Sequence, residues 1–211
     1  MRRRSGHQRW WPGETPFEVC VGAILTQNTN WGNVERAISN LKAAGVLEPR
    51  KLFAVPESKL AQLIRSTGYF NVKARRLRSF LCVLVEEFDG DLDRFFAGET
   101  SVVRQRLLAI HGIGPETADS LLLYAGGHHS FVIDAYTRRI FHRHLWSGAD
   151  VGYEALKSLC ESALHEKPPS ERLDYWQDYH AQLVMVGKHF CRLRQPLCDQ
   201  CPLRSLLPRK D

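Results

Sequence analysis

Apolar residues recur along this chain at intervals of three and four, and two-residue alternation is nearly absent. That period lines one face of an α-helix rather than one face of a strand. Val21, Ile24 and Leu25 form the first such stripe, and Thr15-Pro16-Phe17-Glu18 before it reads as a capping box with proline at the first helical position. Val34, Ile38 and Leu41 form the next, closed by Gly45. Leu60, Leu63 and Ile64 follow Pro56 and end at Gly68, and Leu77, Leu81, Leu84, Val85 and Phe88 stripe a long helix that stops at Gly90. Val103, Leu107 and Ile110 mark a further helix, and residues 118–124 another. Helices over about 135–145, 152–165 and 173–190 complete an all-α reading, with boundaries soft by a few residues. Neither an internal repeat nor a low-complexity linker is present.

The turn between two of these helices carries the first chemical signal. Ala109-Ile110-His111-Gly112-Ile113-Gly114-Pro115-Glu116-Thr117-Ala118-Asp119 reads as helix, glycine hairpin, helix. Gly112 and Gly114 permit a tight turn and a close approach to another surface. Pro115 suits a first helical position, and Glu116 suits the positive end of the helix. The exposed N–H groups of such a turn form an anion cradle. Downstream, Phe131-Val132-Ile133-Asp134-Ala135-Tyr136 puts an acid at the start of a third helix, where it reads equally as an N-cap or a functional carboxylate.

Helix, hairpin, helix and aspartate together resemble the signature of the endonuclease III superfamily of DNA glycosylases, and the resemblance extends over nearly the whole chain. It implies a two-lobed helix-hairpin-helix fold with a DNA-binding cleft between the lobes. Residues 16–127 would form a six-helix barrel, with the hairpin unit at about 107–124. Residues 1–15 and 128–211 would form the second lobe, with a cysteine loop at 191–201. It also implies that Gly112, Ile113 and Gly114 grip the DNA backbone and that Asp134 is the catalytic carboxylate at the cleft. Bifunctional members carry a lysine two residues after the second hairpin glycine, where this chain has Glu116. Glutamate cannot form a Schiff base, so base removal by water without efficient strand cleavage is expected.

Trp10-Trp11-Pro12 and Leu25-Thr26-Gln27-Asn28-Thr29, with Trp31 two residues on, resemble segments of the 3-methyladenine DNA glycosylase branch, which also lacks the lysine. The resemblance implies that Gln27 fills the gap left by a flipped base and that Trp10, Trp11 and Trp31 wall the base pocket. Without it, the tryptophans read as core or lobe-interface residues. An aromatic slot favours an electron-deficient alkylated purine, which is already a good leaving group. The implied activity is excision of alkylated purines such as 3-methyladenine from duplex DNA. An endonuclease III-like glycosylase/lyase for mismatched or oxidised bases, and a non-catalytic DNA-binding module, are the alternatives. A related segment, Gly68-Tyr69-Phe70-Asn71-Val72-Lys73-Ala74-Arg75-Arg76, suggests an Asn71 cap and cations facing either phosphate or solvent. The cluster Arg138, Arg139, His142, Arg143 and His144 carries the same two readings.

Composition narrows the partners. Lysine and arginine number 29 against 23 acids in 211 residues, a net charge of +6, which favours an anionic partner. No apolar run reaches membrane-spanning length, and the basic start Met1-Arg2-Arg3-Arg4-Ser5 lacks a signal peptide's apolar stretch. A cytoplasmic monomer, nucleoid-associated in a bacterium, is expected. Of six cysteines, Cys20, Cys82 and Cys160 fall in apolar helical patterns and read as buried thiols. Cys191, Cys198 and Cys201 match three positions of the superfamily's Cys-x6-Cys-x2-Cys-x5-Cys iron–sulfur motif, and the fourth position is Leu207. A [4Fe–4S] cluster normally takes four thiolates. A cluster with an outside ligand, a three-iron form and a loop held by packing stay open, with a Cys3His zinc site using His189 the poorer fit.

Overall fold

The computed structural model describes residues 1–208. Among them every regular element is helical, and no helix is long and apolar enough to cross a membrane. In chain order the α-helices are α1 (Arg2–Ser5), α2 (Pro16–Leu25), α3 (Trp31–Ala43), α4 (Pro49–Ala54), α5 (Glu57–Leu63), α6 (Phe70–Glu86), α7 (Leu92–Phe96) and α8 (Thr100–Ala109). They continue as α9 (Pro115–Tyr124), α10 (Ala135–Arg143), α11 (Tyr153–Leu164) and α12 (Pro169–His189). The chain divides into two compact units, one of residues 11–128 and one of residues 1–10 with 129 onward.

In the first unit α2 is the buried centre. Phe17 and every residue from Val19 to Leu25 are buried, and α6 and α9 pack against the helix. Thr15 Oγ1 accepts from the Glu18 amide at 3.1 Å, as a capping box requires, but Glu18 returns its carboxylate to the Glu14 amide at 3.3 Å rather than to Thr15. Lys42 bridges Glu14 and Glu18 at 2.9 Å each and ties α3 to this corner. Leu41, Leu60, Leu77, Leu81 and Leu107 are fully buried, each worth roughly 1.5–3 kcal/mol of transfer free energy.

Two short helices lie outside the periodic pattern. Helix α7 spans only five residues, too few for a stripe, yet Phe95 on it meets Phe80, Phe88 and Phe96 edge-to-face at 5.1–5.7 Å. Helix α4 is six residues, with Pro49 opening it and Leu52 buried. The start of α6 also departs from expectation. Gly68 and Tyr69 both take positive φ, 66° and 46°, so Tyr69 becomes the N-cap and Asn71 lies within the helix. Cys82 on α6 is half-buried, not buried, and hydrogen-bonds Glu86 at 3.0 Å.

In the second unit α10 packs along α12. Gly187 makes the approach possible: a Cβ there would lie 2.4 Å from the Tyr136 ring. Trp176 is buried, donates to the Leu164 carbonyl at 3.2 Å and meets Phe131 edge-to-face. The N-terminal segment is fastened to α12, with the Gln8 amide 2.8 Å from Asp178 Oδ1 and Gln182 Nε2 2.6 Å from the Gly6 carbonyl.

Candidate functional site

The hairpin between α8 and α9 has the geometry of an anion cradle. Gly112 sits at φ +89°, a conformation that L side chains rarely adopt. Gly114 is extended and caps α9, and a Cβ on it would meet nothing within 4 Å. Its glycine therefore answers no demand of the protein interior and leaves space open on the outer side. Neither the Gly112 nor the Gly114 amide has an acceptor among the described residues. Such N–H groups ahead of a helix favour a bound anion. Ile113 anchors the loop with its side chain buried, and Glu116 is exposed.

Gln27, just beyond α2, joins this hairpin directly. Its Nε2 donates to the Gly112 carbonyl at 3.1 Å and to Thr117 Oγ1 at 3.0 Å, while its Oε1 accepts from the Arg76 guanidinium. Gln27, Arg76, Gly112, Ile113, Gly114 and Thr117 all line one open cavity of about 430 Å³. The sequence offered Arg76 only as a cation facing phosphate or solvent and Thr117 only as part of the hairpin run; that both meet Gln27 carries no motif spacing, because they come from different helices.

The neighbouring lysine has a different fate. Lys73 is 2% exposed and its ammonium donates to the carbonyls of Leu25 at 2.9 Å and Thr67 at 2.7 Å. Burial, with the Arg76 charge adding to it, pushes its pKa down to about 8. It ties α6 to the end of α2 and faces neither solvent nor phosphate. Arg75, in contrast, is exposed.

Trp11 and Trp31 come together in the same unit, ring centroids 5.3 Å apart and nearly perpendicular. Tyr124 of α9 makes a third ring, 5.4 Å from Trp11. Gly22 on α2 gives the pair its seat, since a Cβ there would fall 3.2 Å from Trp11 Nε1 and 3.6 Å from the Trp31 ring. Trp31 Nε1 donates to Glu35 at 2.7 Å, which fixes the plane of that indole. All three rings are half-buried and pack at the rim of the core rather than inside it. Trp10 is also half-buried and belongs to the other unit, as does Asp134. Tyr124 lacked any sequence signal beyond its place at the end of an apolar helix.

Asp134 is at once a cap and an anion. Its Oδ1 accepts from the Thr137 amide at 2.7 Å and so opens α10, and its Oδ2 lies 3.7 Å from His180 Nε2 on α12. Burial by itself would raise its pKa. The His180 imidazole and the Thr137 amide and hydroxyl outweigh that and hold the carboxyl below its ordinary value. The group is thus a largely buried carboxylate, held in place and kept charged. His180, some 46 residues downstream on the long final helix, was not expected in this role.

Four of the five residues of the basic cluster after Asp134 make structural contacts, and the fifth, His142, is exposed. Arg139 donates to the carbonyls of Cys191 and Gly187, Arg143 to those of Arg192 and Leu193, and Arg138 to Val151. His144 Nδ1 pairs with the Leu206 carbonyl at 3.1 Å. Arg139, Arg143 and His144 fasten the C-terminal segment to α10, and Arg138 holds the loop that follows the helix. Arg143 also lies 3.4 Å from Cys191 Sγ, and the Leu203 amide 3.5 Å from Cys201 Sγ. Among the described residues no three His, Cys, Asp or Glu side chains converge as a metal-binding group. Leu207 offers no donor. The residues present do not fit a four-thiolate cluster.

Comparison with known proteins agrees with this architecture. The model of the HhH-GPD superfamily of base excision DNA repair proteins matches residues 21–166. A Methanocaldococcus jannaschii protein, whose name assigns it only provisionally as a DNA repair glycosylase, is 46% identical over 95% of this chain and 89% of its own length. Endonuclease III of Bacillus subtilis is 27% identical over 90% of this chain and 80% of its own. Among solved structures, 3-methyladenine DNA glycosylase of H. pylori bound to 1,N6-ethenoadenine aligns at a TM-score of 0.71, with 30% identity over 85% of this chain and 87% of that one. A non-covalent endonuclease III–DNA complex aligns at 0.74 over 92% of this chain and 83% of that one, and its 23% identity speaks for the fold. A family match covering well over half the chain, joined to hairpin and aspartate in the geometry described, leads to one conclusion: the chain belongs to the HhH-GPD superfamily of base excision DNA repair proteins.

Proposed function

We propose that this protein is a monofunctional DNA glycosylase that acts as a monomer on duplex DNA and hydrolyses the glycosidic bond of alkylated purines such as 3-methyladenine. The observation that carries the reading is Asp134, a carboxylate locked by the Thr137 amide and held ionised. As the glycosidic bond stretches, the sugar acquires oxocarbenium character, and a fixed carboxylate stabilises that charge and orients the attacking water. The hairpin amides of Gly112 and Gly114 hold a phosphate while Ile113 turns the loop through its own amide to the Ile110 carbonyl, Gln27 occupies the gap, and flipping the base costs a few kcal/mol.

Two features favour the finer assignment. Trp11 and Trp31, joined by Tyr124, offer stacking surface worth roughly 1–3 kcal/mol per base. The H. pylori protein that shares 30% identity is a 3-methyladenine DNA glycosylase bound to 1,N6-ethenoadenine. Lyase chemistry lacks its amine. Glu116 stands at the lysine position, and Lys73 is sealed inside the first unit with both of its acceptors supplied by backbone.

The deciding experiment incubates the purified protein with methylated duplex DNA, identifies the released bases, and examines the strand before and after alkali. Release of 3-methyladenine with breaks only after alkali is expected. Breaks without alkali, or a borohydride-trapped adduct, would refute the monofunctional assignment. Release only from mismatched or oxidised duplexes would move the protein to the endonuclease III-like specificity. Tight binding with no release from any of them would leave a DNA-binding module.

A further inference from the structure

Arg76 has an arrangement that neither the hairpin nor the base pocket accounts for. Its aliphatic stem lies flat on Gly112, so close that a Cβ there would sit 2.2 Å from Arg76 Cγ and 2.8 Å from Cδ. Its guanidinium donates to the neutral Oε1 of Gln27, whose amide nitrogen is in turn held by the Gly112 carbonyl and Thr117 Oγ1. The Gln27 carboxamide is therefore fixed at both ends and cannot flip its oxygen and nitrogen without breaking all three bonds. Three segments far apart in sequence, the end of α2, the middle of α6 and the hairpin, are clamped by one arginine.

We propose that Arg76 is a positioning residue that locks Gln27 to the phosphate-gripping hairpin, so that gripping the backbone and filling the gap are one event rather than two. This rests on the glycosylase reading given above. A side chain that must enter the duplex loses rotamer freedom on binding, and holding it beforehand removes that cost at the reacting geometry. A charged donor to an amide oxygen is a strong hydrogen bond, and the glycine beneath the arginine stem keeps the clamp shut. The same residue would act quite differently as a plain phosphate contact. It would then set affinity and salt dependence and leave the rate of the bound complex alone.

The test is a double-mutant cycle with Arg76→Ala and Gln27→Ala, read by single-turnover excision at saturating enzyme and by affinity for the same duplex at several salt concentrations. Each single variant is expected to lose about tenfold in the single-turnover rate, and the double variant no more than either, because both break one clamp. Affinity should change far less, and Arg76→Lys, which keeps the stem and one donor, should recover most of the rate. Multiplying losses in the double variant, or a lower salt slope with an unchanged rate, would overturn the proposal. The lock is also visible without substrate. In the free protein the Gln27 side-chain amide 15N–1H signals should be shifted and slow to exchange, and should move to free-amide positions in Arg76→Ala. An unmoved signal overturns the lock. A wild-type protein that excises nothing overturns the glycosylase reading instead, with the lock then judged on this signal.

Discussion

One carboxylate, Asp134, meets two requirements that a single substitution can separate. As an N-cap it needs an oxygen acceptor for the Thr137 amide, and in the proposed role of charge stabiliser it needs to be an anion. Asp134→Asn retains the acceptor and removes the charge, so folding should hold while excision falls by about 10²–10³-fold or more. Asp134→Ala should lose in addition about 1 kcal/mol of stability with the cap. Thermal melts beside single-turnover rates read the two effects apart, and equal rates for the Asp134→Asn variant and the parent protein would remove Asp134 from the mechanism. The pH dependence follows from the sign of the shift. A carboxyl held below its ordinary value of 3.8 stays ionised through the neutral and mildly acidic range. Its contribution to stability is present above 3.8 and is lost only as pH falls through the lower, folded value. Any decline in excision between neutral pH and about 5 must then come from another group.

At the level of elements, the second unit depends on how closely α10 and α12 approach, because α12 brings His180 to Asp134. Gly187 sets that distance. Gly187→Ala forces a methyl group to within 2.4 Å of Tyr136 and should cost about 1–3 kcal/mol by overpacking. Since the helices must part to admit it, the Asp134–His180 contact should loosen as well. Chemical denaturation measures the first effect and the excision rate the second. An unchanged midpoint would show that the Tyr136 ring can swing away without cost. Arg139 and Arg143 of α10 have an analogous role toward the C-terminal segment, which they hold through backbone carbonyls.

Across the whole molecule, the charge of +6 and the exposed hairpin amides point to an association governed by phosphate. Affinity for undamaged duplex should fall by at least about tenfold between about 50 and about 200 mM salt, with log affinity linear in log salt concentration. Excision from a saturated complex should be nearly indifferent to salt. A salt-independent affinity, measured by fluorescence anisotropy, would mean that the basic surface lies elsewhere than on the DNA.

The sequence alone determined the local features. Apolar periodicity located the longer helices, Thr15 and Asp134 announced their caps, and the hairpin glycines announced a tight turn, because each of these is fixed by neighbours within about four residues. Family motifs then pointed to Gln27, the tryptophans and Asp134. What no local pattern carries is which distant residue completes each cluster. Helices α4 and α7 are too short to show a period and exist because Leu52, Phe95 and Phe96 find a core. Lys73 and Arg76 stand three residues apart in one basic run, yet one is buried against carbonyls and the other clamps Gln27. His180 on Asp134, Tyr124 on Trp11 and the arginines on the C-terminal loop are likewise matters of packing. Whether a charged side chain meets solvent, a carbonyl or a carboxamide is settled by what the tertiary structure brings opposite it, since the desolvation of each group must be offset by partners from elsewhere in the chain.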